Sequence, residues 1–110
     1  MKICGIYKIQ SKRKPNRIYI GSSVNIIDRW KNHIYKLRNK KHENHLLQNH
    51  FNKYGLNDLQ FIILIGCERN DLKDTEEFFI NSFNPYFNLD KFSSNCSGLR
   101  LPHKIRINII

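Results

Sequence analysis

Two short segments near the start of the chain alternate apolar residues with small or polar ones, a period of two that is typical of β-strands. They cover residues 3–9 and 17–21, and each has a tyrosine, Tyr7 or Tyr19, on the face opposite its isoleucine neighbours. A polar stretch with a proline, residues 11–16, lies between them. The pattern therefore predicts a β-hairpin with both tyrosines on one side.

Two amphipathic helices are predicted next, because apolar residues recur every three or four positions. The first covers residues 25–39, where Asn25 is an N-cap candidate with Asp28 three positions later. The second ends at Gly55, a residue type common at helix C-termini. The apolar stripes are Ile26, Ile27, Trp30, Ile34 and Leu37 in the first helix, and Leu46, Leu47, His50, Phe51 and Tyr54 in the second.

A strand and a helix complete the pattern. Residues 59–65 form a nearly continuous apolar run, which predicts a strand covered on both faces. A third helix is expected from its cap Asp71 to about Ser82, before Pro85 stops it. The order strand, strand, helix, helix, strand, helix favours an α/β (α+β) fold, a single domain whose small sheet packs against helices.

The charge is distributed unevenly along the chain. The 110 residues carry 19 Lys and Arg against 9 Asp and Glu, a formal net charge of +10. Residues 1–54 hold 13 of these cations and only Asp28 and Glu43 as acids, whereas residues 55–110 are close to neutral. One part of the molecule is therefore expected to face a polyanion, with nucleic acid as the first candidate. A basic surface that serves solubility alone is the alternative.

Cys4, Cys67 and Cys96 share no close spacing, which argues against a zinc finger. They indicate reduced thiols of an intracellular protein, two of them in the core. The first residues lack the apolar run of a signal peptide, and no segment has transmembrane length. Neither secretion nor contact with a membrane is expected.

Glu76 is the most informative polar residue. In a helix it falls within the apolar stripe of the third segment, whereas Glu77 falls to the side. A carboxylate at a core-facing position is costly unless it is paired or binds a metal. Glu76 is therefore expected to reach the floor of a cleft with a metal ion as its partner. A salt bridge to an arginine is the alternative.

Arg29 and His33 lie four residues apart at the edge of the first helix's apolar stripe. There Arg can donate two hydrogen bonds to a phosphate, and His can exchange a proton near neutral pH. Taken alone, such a pair is more often solvated surface. Tyr7 and Tyr19, taken alone, are more often packing residues.

Three further histidines, His42, His45 and His50, fall close together in the sequence. At their spacing they do not converge on a short helix, so zinc is not expected there. Since His50 lies on the apolar stripe, it is predicted to be a core residue.

Together these residues resemble the signature of the GIY-YIG nuclease superfamily. The similarity covers residues 3 to about 90 and is greatest with the catalytic domains of intron-encoded and phage homing endonucleases. The ordered set of motifs is specific, although a single tripeptide would not be. The matching positions are Gly5, Ile6 and Tyr7; Tyr19, Ile20, Gly21 and Ser22; Arg29, Trp30 and His33; Phe51, Tyr54 and Gly55; Glu76, Phe79 and Ile80; and Asn88.

The resemblance implies a three-stranded antiparallel sheet flanked by three or more helices, and a DNA endonuclease that uses one divalent ion, Mg²⁺ or Mn²⁺. It implies that Glu76 binds the metal and that Tyr7 is the general base or orients water, with Tyr19 close by. Because a phenol with a pKa of about 10 is a weak base at neutral pH, cationic or metal neighbours must lower that pKa. Arg29 would stabilise the charge of the transition state, and His33 would assist Tyr7 or the scissile phosphate.

Other residues are expected to support the site or to contact DNA. By resemblance, Asn88 binds the backbone, and His42 is an active-site or DNA contact. The supporting hairpin residues are Gly5, Gly21 and Ser22. The expected DNA contacts are Lys12, Arg13, Lys14 and Arg17 around the hairpin turn, and Lys31, Lys36, Arg38, Lys40 and Lys41 in and after the first helix.

Residues 1–91 are the predicted catalytic domain, and residues 92–110 are a basic tail. The tail is either the start of a linker to a separate DNA-binding domain or the end of a compact nuclease with little sequence specificity. We expect a monomer whose partner is DNA, with no small-molecule cofactor. The alternative function is a non-catalytic nucleic-acid-binding module that retains the fold. A purely structural domain leaves the basic half of the chain and Glu76 unexplained.

Overall fold

A computed structural model of the chain describes residues 2–89. The elements are β1 (Gly5–Ser11), β2 (Ile18–Ser23), α1 (Ile26–Arg38), α2 (His45–Tyr54), β3 (Leu59–Gly66) and α3 (Leu72–Phe83). The strands form one antiparallel sheet in the order β2-β1-β3. The predicted fold class is confirmed. The predicted tail, residues 92–110, and Cys96 lie outside the described residues.

The helices begin and end where capping residues permit. Asn25 accepts a hydrogen bond from the backbone N–H of Asp28, and Asn44 accepts one from that of Leu47, so each satisfies a free donor of its helix. Gly55 ends α2 with a φ of 84°, a backbone conformation that favours glycine.

The prediction that β3 is covered on both faces is wrong. In the part of the chain that the structure describes, β3 is an edge strand, and Ile63 and Ile65 are 38% and 45% exposed. The central strand is β1, which pairs with both neighbours. An apolar run measures the hydrophobicity of a strand, and it does not fix the position of that strand in the sheet.

Each face of the sheet carries its own apolar cluster. Tyr7, Ile9 and Tyr19 pack on one face with residues of α1 and α2. Ile6 and Ile20 pack on the other face with α3. Both tyrosines therefore lie on the side opposite Ile6 and Ile20, as the alternation predicts.

Two of the cysteines, Cys4 and Cys67, are free thiols. Both are half-buried, and Cys67 packs at the margin of the α3 cluster, so neither is fully a core residue. Within residues 2–89, no helix has the length and apolar character needed to cross a membrane.

Candidate active site

Tyr7 lies above Gly21, its pairing partner on β2. The contact is so close that a Cβ at Gly21 would come within 2.5 Å of the Tyr7 Oη. Since β2 is an edge strand among the described residues, the bare backbone at Gly21 lets a central-strand tyrosine place its hydroxyl at the edge of the sheet.

Gly5 serves a different purpose from Gly21. A Cβ at Gly5 would collide with the backbone carbonyl oxygen of Ile65 on β3. The pairing of β1 with β3 shifts register between Ile6 and Tyr7, directly after this close approach. Gly5 therefore allows the backbone packing that sets Tyr7 in position.

Glu76 reaches the same edge from α3, on the opposite face of the sheet. Its Oε1 accepts a hydrogen bond of 2.7 Å from the Ser22 hydroxyl, directly after Gly21. The candidate site thus wraps around the edge strand β2. The expected burial contrast with Glu77 is not found, because both carboxylate residues are half-buried. The stripe on α3 is shallower than expected, since Phe83 is exposed.

A chain of short hydrogen bonds runs inward from Tyr7. The Tyr7 Oη lies 2.7 Å from His33 Nε2, and His33 Nδ1 lies 2.7 Å from His42 Nε2. His42 Nδ1 accepts a hydrogen bond of 3.0 Å from the backbone N–H of Asn44. All three side chains are buried. The structure therefore places His33 in the interior, not at the rim where the helix pattern put it.

The backbone N–H of Asn44 sets the direction in which the hydrogen bonds from His42 to Tyr7 are donated. Because this group can only donate, His42 Nδ1 must accept, and a neutral His42 then carries its proton on Nε2. That proton is donated to His33 Nδ1, so His33 carries its own proton on Nε2 and donates it to the Tyr7 oxygen. The Glu43 carboxylate, 4.0 Å from His42 Nδ1, is beyond hydrogen-bonding distance.

Burial determines the protonation of these groups. It lowers the pKa of His33 to about 3, assisted by His42 and by the positive charge of Arg29, and it also lowers the pKa of His42. His33 is therefore neutral over the physiological range, contrary to the expectation of a group that exchanges protons near neutrality.

The tyrosines also differ from expectation. Burial, followed by the proximity of Tyr19, raises the pKa of Tyr7 well above its ordinary value, and burial raises that of Tyr19. Arg29 opposes both shifts through its charge and hydrogen bonding, and Glu76 adds to them. Arg29 and Glu76 therefore both lie close enough to Tyr7 and Tyr19 to affect the pKa of each phenol. The expectation that neighbours lower the pKa of Tyr7 is wrong for the protein's own residues, because burial outweighs Arg29.

Asn88 holds the edge strand from outside the sheet. Its Oδ1 accepts from the backbone N–H of Ile20 over 2.8 Å, and its Nδ2 donates to the carbonyl of Ile20 over 3.0 Å. Asn88 is fully buried, so these two bonds satisfy an amide that would otherwise be costly to bury. They fix the middle of β2 between Tyr19 and Gly21.

His50 lies in the core, as predicted, but as part of a polar cluster that sequence reasoning missed. Its Nε2 lies 2.6 Å from Asp58 Oδ2, which also accepts a 2.6 Å hydrogen bond from the Ser11 hydroxyl. The sequence offered no signal for Asp58, because its partners are 8 and 47 residues away. The three histidines do not converge: His42 binds His33, whereas His50 binds Asp58.

The basic residues expected to contact DNA lie mostly on the surface. Lys36 is paired with an acid, because its Nζ is 2.9 Å from the Glu43 carboxylate. Arg13 and Arg17 stack on aromatic rings at the hairpin end. The exposed members are Lys12, Arg13, Lys31, Arg38, Lys40 and Lys41, and the half-buried ones are Lys14, Arg17 and Lys36.

Comparison with known proteins places this geometry in context. Residues 3–90 match the model of the GIY-YIG catalytic domain. The chain is 35% identical over 86 residues to intron-associated endonuclease 1 of Enterobacteria phage T4. That match covers 76% of the chain, which spans about a third (34%) of the relative's length.

Two solved structures resemble the chain in three dimensions. One is the catalytic domain of the homing endonuclease I-TevI, with a TM-score of 0.68 and 32% identity over 77% of this chain and 92% of that one. The other is a mutant of the same catalytic domain, with a TM-score of 0.69 and 32% identity over 76% of this chain and 86% of that one.

Proposed function

The chain belongs to the GIY-YIG catalytic-domain family, and on that premise we propose that it is an endonuclease that hydrolyses phosphodiester bonds of DNA with the help of a divalent metal ion. We assign it to the homing type, acting inside the cell. The observation that carries the proposal is the convergence of Tyr7, Arg29 and Glu76 at the edge of β2.

Glu76 is the proposed metal ligand, for one Mg²⁺ or Mn²⁺ ion. Among residues 2–89 no group of three or more His, Cys, Asp and Glu side chains could hold a metal. A single carboxylate fits Mg²⁺, which keeps several waters and binds proteins through one or two carboxylates together with substrate phosphate. The Ser22 hydroxyl orients the carboxylate through its 2.7 Å hydrogen bond. When bound, the ion would polarise a phosphoryl oxygen as a Lewis acid.

The remaining residues act on the water and on the phosphate. Hydrolysis joins a water oxygen to phosphorus and breaks one phosphorus–oxygen bond, and a proton lost by the water ends on the leaving oxygen. Tyr7 keeps its proton at neutral pH, so we assign it to orienting the attacking water, with Tyr19 beside it. His33 holds the Tyr7 oxygen by donating to it. Arg29 is permanently cationic and would stabilise the charge that grows on the phosphoryl oxygens.

DNA contacts beyond the site are assigned to the surface cations of the hairpin turn and α1. Such contacts position a duplex and carry no sequence information of their own. Target choice by a further domain, and monomeric action, are part of the same proposal.

The test is cleavage of supercoiled plasmid by the full chain with Mg²⁺ and with EDTA. Wild-type protein should nick or linearise the plasmid only with the metal, and Tyr7→Phe should be slowed strongly while remaining folded by circular dichroism. Activity in EDTA would overturn the metal assignment. Binding without cleavage by the folded wild type would favour the alternative, a nucleic-acid-binding module that retains the fold.

A further inference from the structure

A second basic feature lies away from the candidate active site. It is a pocket of about 290 Å³ between the hairpin turn and α2, and none of the proposed catalytic residues lines it. Its lining includes the cations Lys14, Arg17 and Lys53 and no carboxylate residue. Such a lining attracts an anion.

One carboxylate lies behind this pocket, because Asp58 bonds the lining residue His50. Asp58 is buried, and its carboxylate accepts hydrogen bonds from the Ser11 hydroxyl, His50 Nε2 and the backbone N–H of Arg13. Although burial raises it, these bonds hold the pKa of Asp58 below its ordinary value. Asp58 therefore stays ionised, and the pocket has three cations, Lys14, Arg17 and Lys53, against this one buried negative charge.

The cations are held on a rigid support. The backbone N–H of Lys12 donates to the carbonyl oxygen of Asp58 over 2.8 Å, and that of Lys14 donates to the Ser11 hydroxyl over 3.0 Å. Arg17 lies 4.7 Å from the Tyr86 ring and donates to His50 Nδ1 over 3.3 Å. A guanidinium fixed in this way has further N–H groups for a ligand.

The pocket suits a phosphate better than a nucleobase. A base would need a free aromatic face to stack on. Arg17 covers Tyr86, and the Tyr54 ring is approached by His50, with ring centroids 4.5 Å apart, and by Arg13 and Lys53. The two tyrosines therefore orient cations here.

Resting on the proposed function, we propose that this pocket binds one backbone phosphate of the DNA substrate, a few nucleotides from the scissile one, and so sets the position of the duplex on the enzyme. The carbonyl of Arg17 still accepts from Ser11 N–H and continues the β1–β2 ladder. Arg17 and Tyr19 thus project from one face, roughly 7 Å apart along the strand. DNA rises about 3.4 Å per nucleotide along a strand, so both sites are within reach of one backbone.

The first test is the salt dependence of DNA binding by the 110-residue chain with Glu76→Ala, with and without Lys53→Gln. Lys53 is exposed, so the substitution should leave folding intact. Lys53→Gln should reduce the steepness of log affinity against log salt by about 1. The protein that retains Lys53 binds DNA more tightly, and the ratio of the two affinities should fall roughly fourfold between about 50 and 200 mM salt. Lys73→Gln, an exposed lysine of α3, is the matched control and should keep the slope.

The second test replaces single phosphates of a duplex by uncharged methylphosphonates. On a duplex short enough to fix the register, one position should weaken binding severalfold in the protein that retains Lys53 and have a smaller effect in Lys53→Gln protein. An unchanged salt slope in Lys53→Gln, or losses that add at every position, would overturn the pocket assignment. Absence of plasmid cleavage by wild type would instead overturn the proposed function, while a reduced slope would still support a phosphate pocket.

Discussion

The Tyr7 hydroxyl and the Gly21 Cα are so close that no side chain fits between them, since a Cβ on Gly21 would lie 2.5 Å from Oη and 2.6 Å from Cζ. Gly21→Ala should therefore displace Tyr7 and lower the free energy of unfolding by about 1–3 kcal/mol or more, the usual range for overpacking. Gly66→Ala is the control, because a Cβ there would meet only Cys4 O at 3.6 Å. Urea denaturation compares the two, and equal stability would contradict the steric argument.

Glu76→Ala should abolish metal-dependent cleavage, and Glu77→Ala should retain most of it. The two residues share a helix and a similar degree of burial, so the pair separates the metal assignment from a general loss of α3 stability. The readout is single-turnover cleavage with Mg²⁺, together with the thermal midpoint of each variant. Equal losses of activity at equal stability would remove Glu76 from its proposed role.

Arg29→Ala should lower the single-turnover rate at saturating DNA by about 10²–10³, with only modest weakening of binding, because its interaction grows with the charge of the transition state. Arg69→Ala, an exposed arginine between β3 and α3, should keep the wild-type rate. A wild-type rate for Arg29→Ala would reduce this residue to a binding role.

The buried histidines predict a pH dependence of stability. His33 titrates at about 6.5 when unfolded and at about 3 when folded, so the unfolded chain takes up its proton first as the pH falls. The stabilisation is fully present above pH 6.5 and is lost progressively as the pH falls towards about 3. Between about pH 7.5 and 5 the loss for His33 is roughly 2 kcal/mol.

Urea midpoints at those two pH values measure the effect. His33→Gln should flatten the pH dependence, and the exposed His45→Gln should leave it as it is. Asp58 does not interfere, because the stability held by a carboxyl with a lowered pKa is lost only at more acidic pH. An unaltered slope in His33→Gln protein would show that His33 is not the titrating group.

The direction of the histidine chain can be tested by ¹⁵N nuclear magnetic resonance. Two-bond correlations should find the proton of both His33 and His42 on Nε2, because the Asn44 backbone N–H faces His42 Nδ1. His42→Ala should release this constraint and shift the tautomer of His33. A proton on His33 Nδ1 in the wild type would reverse the chain and make Tyr7 the donor.

The elements were predictable from sequence because each depends on local periodicity and caps. Asn25, Gly55 and the stripe of α1 act within a few residues of themselves, and the structure reproduces them except at Ile27, which is 36% exposed. The position of β3 at the edge and the depth of His33 depend on packing between distant elements. Local periodicity holds no information about either.

The site residues show the same division. The helical phase of α3 predicted that Glu76 faces the core, but it did not predict that Glu77 is buried to a similar degree. The resemblance supplied His42, yet its bond to His33 arises from a bend of the chain before α2. Asp58 carried no signal, since a buried aspartate is recognisable only once its donors Ser11 and His50 are known.

The bonds between Asn88 and Ile20 join residues 68 positions apart, and Gly5 pairs with Gly66 across the sheet. During synthesis, the β1–β2 hairpin therefore forms before β3 and Asn88, which later pair with it, have been made. Loop closure over such distances slows folding. A nascent chain shorter than 88 residues lacks the clamp on the strand that carries Tyr19 and Gly21. The edge of β2 that carries Tyr19 and Gly21 is thus clamped only once nearly all of the described residues have been synthesised, so a chain truncated before Asn88 should leave this edge unclamped.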